Sequence, residues 1–172
     1  MKRISLVLGA VLCLAACRQP TDRVASESLY RAFKRMSGAT MMGVSKMSYD
    51  AVLQDAATEL LVLSDLAPST GDSAVVRHYM GALEKYKDAG SLWATQIEDV
   101  RYDWIPKGRI YITNPAIVSR YKLPTETHPS PSGGKPFETV SSESIQAIWS
   151  LAKADCDSAE GLVLPKLRKS YR

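Results

Sequence analysis

DSAVVRHYMGALEKYKDAGSLWATQIEDV, residues 72–100, places Val76, Tyr79, Met80, Leu83, Tyr86, Gly90, Trp93, Ile97 and Val100 at the three- and four-residue intervals of one helical face. Glu84, Lys87 and Asp88 lie on the opposite side, so one face is apolar and the other charged. Asp72 or Ser73 suits the N-terminal cap. Gly81 and Gly90 each cost about 1 kcal/mol relative to alanine inside a helix. Gly90 falls on the apolar stripe, which predicts close approach of another helix there. A helix this long must bury its stripe against others, and the chain supplies them on both sides.

Upstream, residues 48–66 repeat Tyr49, Val52, Leu53, Ala56, Leu60 and Leu63, widened by Leu61, Val62 and Leu66. Ser48 is the cap candidate and Pro68 the expected stop. Residues 27–37 carry Leu29, Ala32, Phe33 and Met36 on one face, with Gly38 as the expected C-terminal cap. Between these helices Met41, Met42, Val44 and Met47 surround Gly43. Methionines there are expected to fill irregular gaps in the core; the alternative is an adaptable binding surface. Downstream, residues 141–160 repeat Ile145, Ile148, Trp149, Ala152, Cys156 and Ala159, capped by Ser141 or Ser142, with Pro165 ending the pattern. Asn114-Pro115 reads as cap and first residue of a short helix through Tyr121. Arg109 to Thr113 alternates like a strand without a visible partner, so an extended segment is an equal reading. Residues 123–137, with Pro124, Pro129, Pro131, Pro136 and Gly133-Gly134, are expected to be an exposed loop. The fold class is all-α: an irregular bundle of four main helices plus one short helix, with a long Pro/Gly-rich loop.

The N-terminus carries a different signal. Lys2 and Arg3 precede an uncharged apolar run of 13 residues, Ile4 to Ala16. A spanning helix needs about 20, so this run reads as a cleaved secretory signal. Its end, Leu14-Ala15-Ala16-Cys17, resembles the lipobox of bacterial lipoproteins. That resemblance covers the first 17 residues. It implies removal of residues 1–16, a diacylglycerol thioether on Cys17 and acylation of the new amine. Arg18 after the cysteine points to the outer membrane, with inner-membrane retention left open. Residues 17–26 then form a polar tether, 27–163 the helical domain and 164–172 a basic tail.

Loss of Lys2 and Arg3 lowers the 22 basic residues to 20, against 18 acidic. A chain so nearly neutral is not built for nucleic acid, and no nucleic-acid partner is expected. The excess is concentrated in the tail, where Lys166, Arg168, Lys169 and Arg172 are suited to anionic lipid or polysaccharide. With Cys13 cleaved and Cys17 lipidated, only Cys156 remains, so stability must come from the core without a disulfide. About 156 mature residues suffice for that. Cys156 lies on an apolar face between Asp155 and Asp157, an environment that raises a thiol pKa and predicts an inert side chain.

His78 and His128 are the only histidines, and no paired metal-ligand motif, nucleophile elbow or phosphate-binding glycine loop occurs. No cofactor and no metal are expected. An enzyme would require several of Glu59, His78 and Glu98 to converge in a cleft. The aromatic residues are explained by helix packing; the alternative is an apolar ligand groove lined by Met80, Trp93 and Trp149. The expected function is therefore a membrane-anchored, periplasm-facing lipoprotein acting as a non-enzymatic interaction or structural module. Its partners would be the membrane, through the lipid on Cys17, and an envelope protein or anionic lipid or polysaccharide. The alternative is a small-molecule or lipid-binding carrier with a groove between helices.

Overall fold

The computed structural model describes residues 19–70 and 72–169. The signal segment and Cys17 lie outside them. The described chain is mostly helical and carries a small sheet. Its order is α1 (Gln19–Met42), α2 (Lys46–Thr70), α3 (Ser73–Asp99), β1 (Arg109–Tyr111), α4 (Pro115–Tyr121), β2 (Thr125–His128), β3 (Phe137–Ser141) and α5 (Glu143–Lys169).

The long helices pair along their apolar stripes: α1 with α2 and α5, α2 with α3, and α3 with α5. Lys34 reaches Glu160 at 2.5 Å, and Ser37, further along α1, lies beside Cys156, earlier on α5, which sets α1 and α5 antiparallel. Lys85 reaches Asp155 at 2.6 Å, and Lys166 pairs with Asp72, which does the same for α3 and α5. Phe33 stacks on Tyr79 at 4.4 Å between ring centroids, and further along both helices Ser37 bonds the Tyr86 hydroxyl at 3.1 Å, so α1 and α3 run in parallel. The start of α1, the α2–α3 turn and the end of α5 therefore share one end of the molecule. The α1–α2 turn, the sheet and the start of α5 share the other. Leu29, Phe33, Met36, Tyr49, Leu63, Tyr79, Tyr86 and Ile148 are wholly buried between the helices. Burial of each such side chain contributes about 1.5–3 kcal/mol.

Three of the four long helices run past their sequence-based limits, whereas α3, Ser73–Asp99, falls within the residues 72–100 read from the sequence. α1 begins at Gln19 and its Ala25 is buried, so residues 19–26 are helical and not an extended tether. It ends at Met42, and the left-handed residue after it is Gly43, with φ +82°, not Gly38. α2 starts at Lys46 because Ser45, not Ser48, offers its hydroxyl to the Ser48 N–H at 3.2 Å. It runs past Pro68 to Thr70. α5 likewise continues through Pro165 to Lys169. An internal proline costs about 3 kcal/mol. Tertiary contacts offset that cost here: Val163 is buried, Leu167 packs on the core and Lys166 engages Asp72. Asp72 makes no capping hydrogen bond with its own helix; its carboxylate serves that long-range pair instead.

The sheet is the main departure from an all-helical reading. Its order is β1-β3-β2, antiparallel throughout. The missing partner of β1 is Phe137–Ser141, whose Val140 sits opposite Ile110, both wholly buried. β2 arises inside the segment read as a loop. Its prolines leave the ladder intact because Pro124 precedes β2, while Pro129, Pro131 and Pro136 lie between β2 and β3. Thr125-Glu126-Thr127-His128 is a polar edge strand with no apolar alternation, which is why its pattern was silent. The sheet is fastened to α3 by the Tyr111 N–H, which donates to the Asp99 carboxylate at 2.7 Å. The α4 cap forms as expected, with Asn114 accepting the Ala116 N–H at 3.1 Å.

Candidate functional site

Trp93 and Trp149 meet edge to face at 5.7 Å between ring centroids. Both pack on Tyr49, at 5.5 and 5.7 Å. The Tyr49 hydroxyl donates to the Tyr86 carbonyl at 2.6 Å and accepts the Trp149 indole N–H at 3.0 Å. α2, α3 and α5 thus each contribute one ring, and hydrogen bonds fix two of them. Gly90 makes this possible, since a Cβ there would lie 2.8 Å from Tyr49 Cε1. Burial drives the Tyr49 phenol well above its usual range, partly opposed by the bond from Trp149. It stays a neutral donor at physiological pH.

Beside this trio opens a cleft of about 390 Å³ between the α1–α2 turn, the end of α3 and the start of α5. Val44, Trp93, Ile145 and Trp149 give it an apolar floor, and Thr40, Gln96, Ser142, Glu143 and Gln146 add polar groups. An apolar floor with a few polar groups suits a small amphipathic ligand or an inserted side chain. Glu143 is the one titratable residue among those lining it.

The sequence reading of this site needs one correction. Met80 is 55% exposed and is not among the lining residues. It precedes Trp93 by thirteen positions, about 20 Å along α3 and roughly 220° around it, so the two cannot share one small cleft. The methionine cluster is also corrected. Met41, Met42 and Met47 are 74%, 90% and 81% exposed, while Met36 is the one in the core. Met41 lies at the open rim of a shallow pocket with Tyr79, Lys153 and Cys156, Met42 is the last residue of α1, and Met47 lies in the first turn of α2.

Glu59, His78 and Glu98 do not converge. His78 and Glu98 lie twenty residues apart on α3, about 30 Å. Cys156 is buried beside Tyr86 and Ser37, and burial pushes its thiol up to about 12, with Asp157 and Asp155 adding to the rise. Among the described residues no group of three or more His, Cys, Asp or Glu is placed to hold a metal, and no helix is long and apolar enough to cross a membrane.

One cluster had no signal in the sequence. Trp104 lies over the outer face of the sheet, 4.8 Å from Phe137 and 5.9 Å from Tyr111. Tyr102 and His128 extend this row at 5.7 and 5.2 Å. Beneath it Thr139 is wholly buried and bonds His128 Nε2 at 2.9 Å, so His128 is a sheet residue and not a solvated loop residue. These rings come from four separate segments, and only strand pairing assembles them. No protein-family model, curated protein or solved structure matches the chain.

Proposed function

We propose that the mature chain is a lipid-anchored, non-enzymatic interaction module of the bacterial envelope. Cys17 would carry the lipid at the outer membrane, and the domain would face the periplasm. In this reading the four long helices act as one irregular bundle, a rigid stalk that carries a binding face away from the bilayer. The observation that carries the proposal is the position of the exposed apolar side chains. Met41, Met42 and Met47, with Val100, Tyr102 and Trp104, lie exposed toward the end opposite the start of α1. Grouped exposed apolar residues favour a protein partner, and methionines adapt to its shape.

The test has two parts. Mass spectrometry of the mature protein should find an acylated N-terminal Cys17; a free N-terminus elsewhere overturns the localisation. Photocrosslinkers at Met42 and Met47 in intact cells should yield one discrete envelope-protein adduct, while one at Leu61, exposed on α2, should not. Equal labelling from all three positions would refute a specific face.

The Trp93–Trp149 cleft favours a second reading, a carrier of a small apolar or amphipathic molecule. Fatty acids or phospholipids added to the protein should then shift tryptophan emission saturably. Gln96→Trp, which fills the cleft mouth, should abolish that shift. Unchanged emission across a lipid panel would eliminate the carrier.

A further inference from the structure

We infer that the pocket between α1 and α5, over Tyr79 of α3, binds a small uncharged molecule: a one-ring apolar body with a single oxygen acceptor, such as an aryl alcohol. The site is separate from the Trp93–Trp149 cleft and independent of the acylation of Cys17.

The pocket measures about 220 Å³. Its buried lining includes Phe33 and Tyr79, stacked at 4.4 Å, and Cys156. A cavity of about 150 Å³ takes a benzene ring, so there is room here for one ring with a small substituent. The four charged residues that line it cancel in pairs. Lys34 meets Glu160 at 2.5 Å, and Lys153 meets Asp157 at 2.6 Å. An ion entering the pocket would find no net charge to attract it, which favours an uncharged ligand.

The polar groups of the lining are also satisfied, with one exception. Ser37 and the Tyr86 hydroxyl lie 3.1 Å apart, and both sit against the Cys156 thiol. The Tyr30 hydroxyl donates to Glu160 at 3.4 Å. The Tyr79 hydroxyl has no hydrogen-bond partner among the described residues. Every buried polar side-chain atom among them either has a partner or meets accessible space. Tyr79 is only 1% exposed, so its hydroxyl meets that space through the pocket it lines. The groups that act on its phenol, Cys156, Glu160 and Tyr30, all line the same pocket. Burial holds the phenol well above its ordinary range, so it stays a neutral donor. A ligand oxygen placed there would satisfy it without breaking any existing bond.

Gly38 leaves the entrance open. It lines the pocket from α1, and a Cβ on it would meet nothing within 4 Å. A larger side chain at 38 would stand in the space a ligand needs.

The test titrates the purified full chain against para-fluorobenzyl alcohol and reads the broadening of its fluorine NMR line. The line should broaden saturably, whereas para-fluorobenzoate, of similar size but charged, should not. Tyr79→Phe keeps the stacked ring and should weaken binding roughly three- to tenfold. Its urea midpoint without probe should equal the parent's, because the hydroxyl has no bond to lose. Gly38→Leu should abolish the broadening, and Gln96→Trp, which fills the other cleft, should leave it intact. Broadening that persists unchanged in Tyr79→Phe or Gly38→Leu, or that disappears in Gln96→Trp, places the probe elsewhere and overturns the site. Equal broadening by the benzoate overturns the selection for an uncharged ligand. A lower midpoint for Tyr79→Phe would show the hydroxyl already held within the protein. No broadening at all would leave water as its only partner, and either result refutes the inference.

Discussion

Tyr49 occupies the space that a side chain on residue 90 would need: a Cβ built on Gly90 lies 2.8 Å from the ring's Cε1. That contact joins α2 to α3 at the trio of rings and sets how closely the Trp93–Trp149 cleft can close. Gly90→Ala should therefore destabilise the protein. Its helix-propensity gain is about 1 kcal/mol, but the tyrosine is locked by two hydrogen bonds and cannot retreat, so overpacking of about 1–3 kcal/mol should win. Gly161→Ala, on an exposed helical position with open space around it, should instead stabilise by about 0.4–1 kcal/mol. Urea denaturation of the two variants checks the opposite signs.

Tyr49→Phe removes the partner of the Trp149 indole N–H while keeping the ring. The buried donor left behind should cost about 1–3 kcal/mol. Trp149→Phe in the same background should then cost less than it does alone. A double-mutant cycle should give a coupling of about 0.5–3 kcal/mol, and a coupling near zero would mean that the hydrogen bond holds nothing together.

Cys156 should resist alkylation. With its thiol pushed up to about 12, the native thiolate at pH 8 is roughly a thousandfold scarcer than in the unfolded chain. Maleimide or iodoacetamide labelling should be slow in buffer and fast in denaturant. The same shift fixes a pH dependence. An unfolded thiol titrates near 9.0, so above that value the unfolded chain loses a proton that the native one keeps. The stability from the buried neutral thiol is full below pH 9.0 and falls as pH rises toward 12. Cys156→Ala should flatten that alkaline loss.

Asp99 gives a shift of the same sign at acid pH. Burial raises its carboxyl, the Tyr111 N–H opposes the rise, and Glu98 adds to it. The native state then binds a proton just above the ordinary aspartate range, where the unfolded state does not. Stability from this group is present below the unfolded value and lost as pH rises through the native one. Asp99→Asn keeps an acceptor for Tyr111 without the charge. The stability difference between variant and parent should move in the variant's favour as pH rises through and above the ordinary aspartate range. A difference that stays flat across that range would assign the raised carboxyl elsewhere.

The helical stripes were legible because each is local. Val76, Tyr79, Leu83 and Tyr86 repeat at helical spacing whatever they pack against, and all four are buried. Gly90 could be read too, since a glycine on an apolar stripe has few other reasons to be there. Helix ends were less legible. Pro68 and Pro165 are strong local stops, and tertiary contacts carried both helices past them. Ser45 and Gly43 displaced Ser48 and Gly38 because a cap depends on where the chain turns. The candidate site was half legible. Trp93 and Trp149 were named from their stripes and do meet, whereas Met80 lies toward the other end of α3 and on another side of it.

Periodicity, which needs only neighbours three and four residues apart, determined that this chain is mostly helical and which faces are apolar. The lipobox resemblance of residues 14–17 is equally local, and the export it implies belongs to the proposal. Pairings between distant residues required the folded chain. β1 found β3 across about thirty residues of loop, helix and edge strand, and Lys166 found Asp72 across 94. Such contacts leave no periodic trace, because their energy depends on surfaces that exist only once the helices have packed. Tertiary structure therefore decided the sheet, its aromatic row, the cleft and the return of the end of α5 to the level where α1 begins.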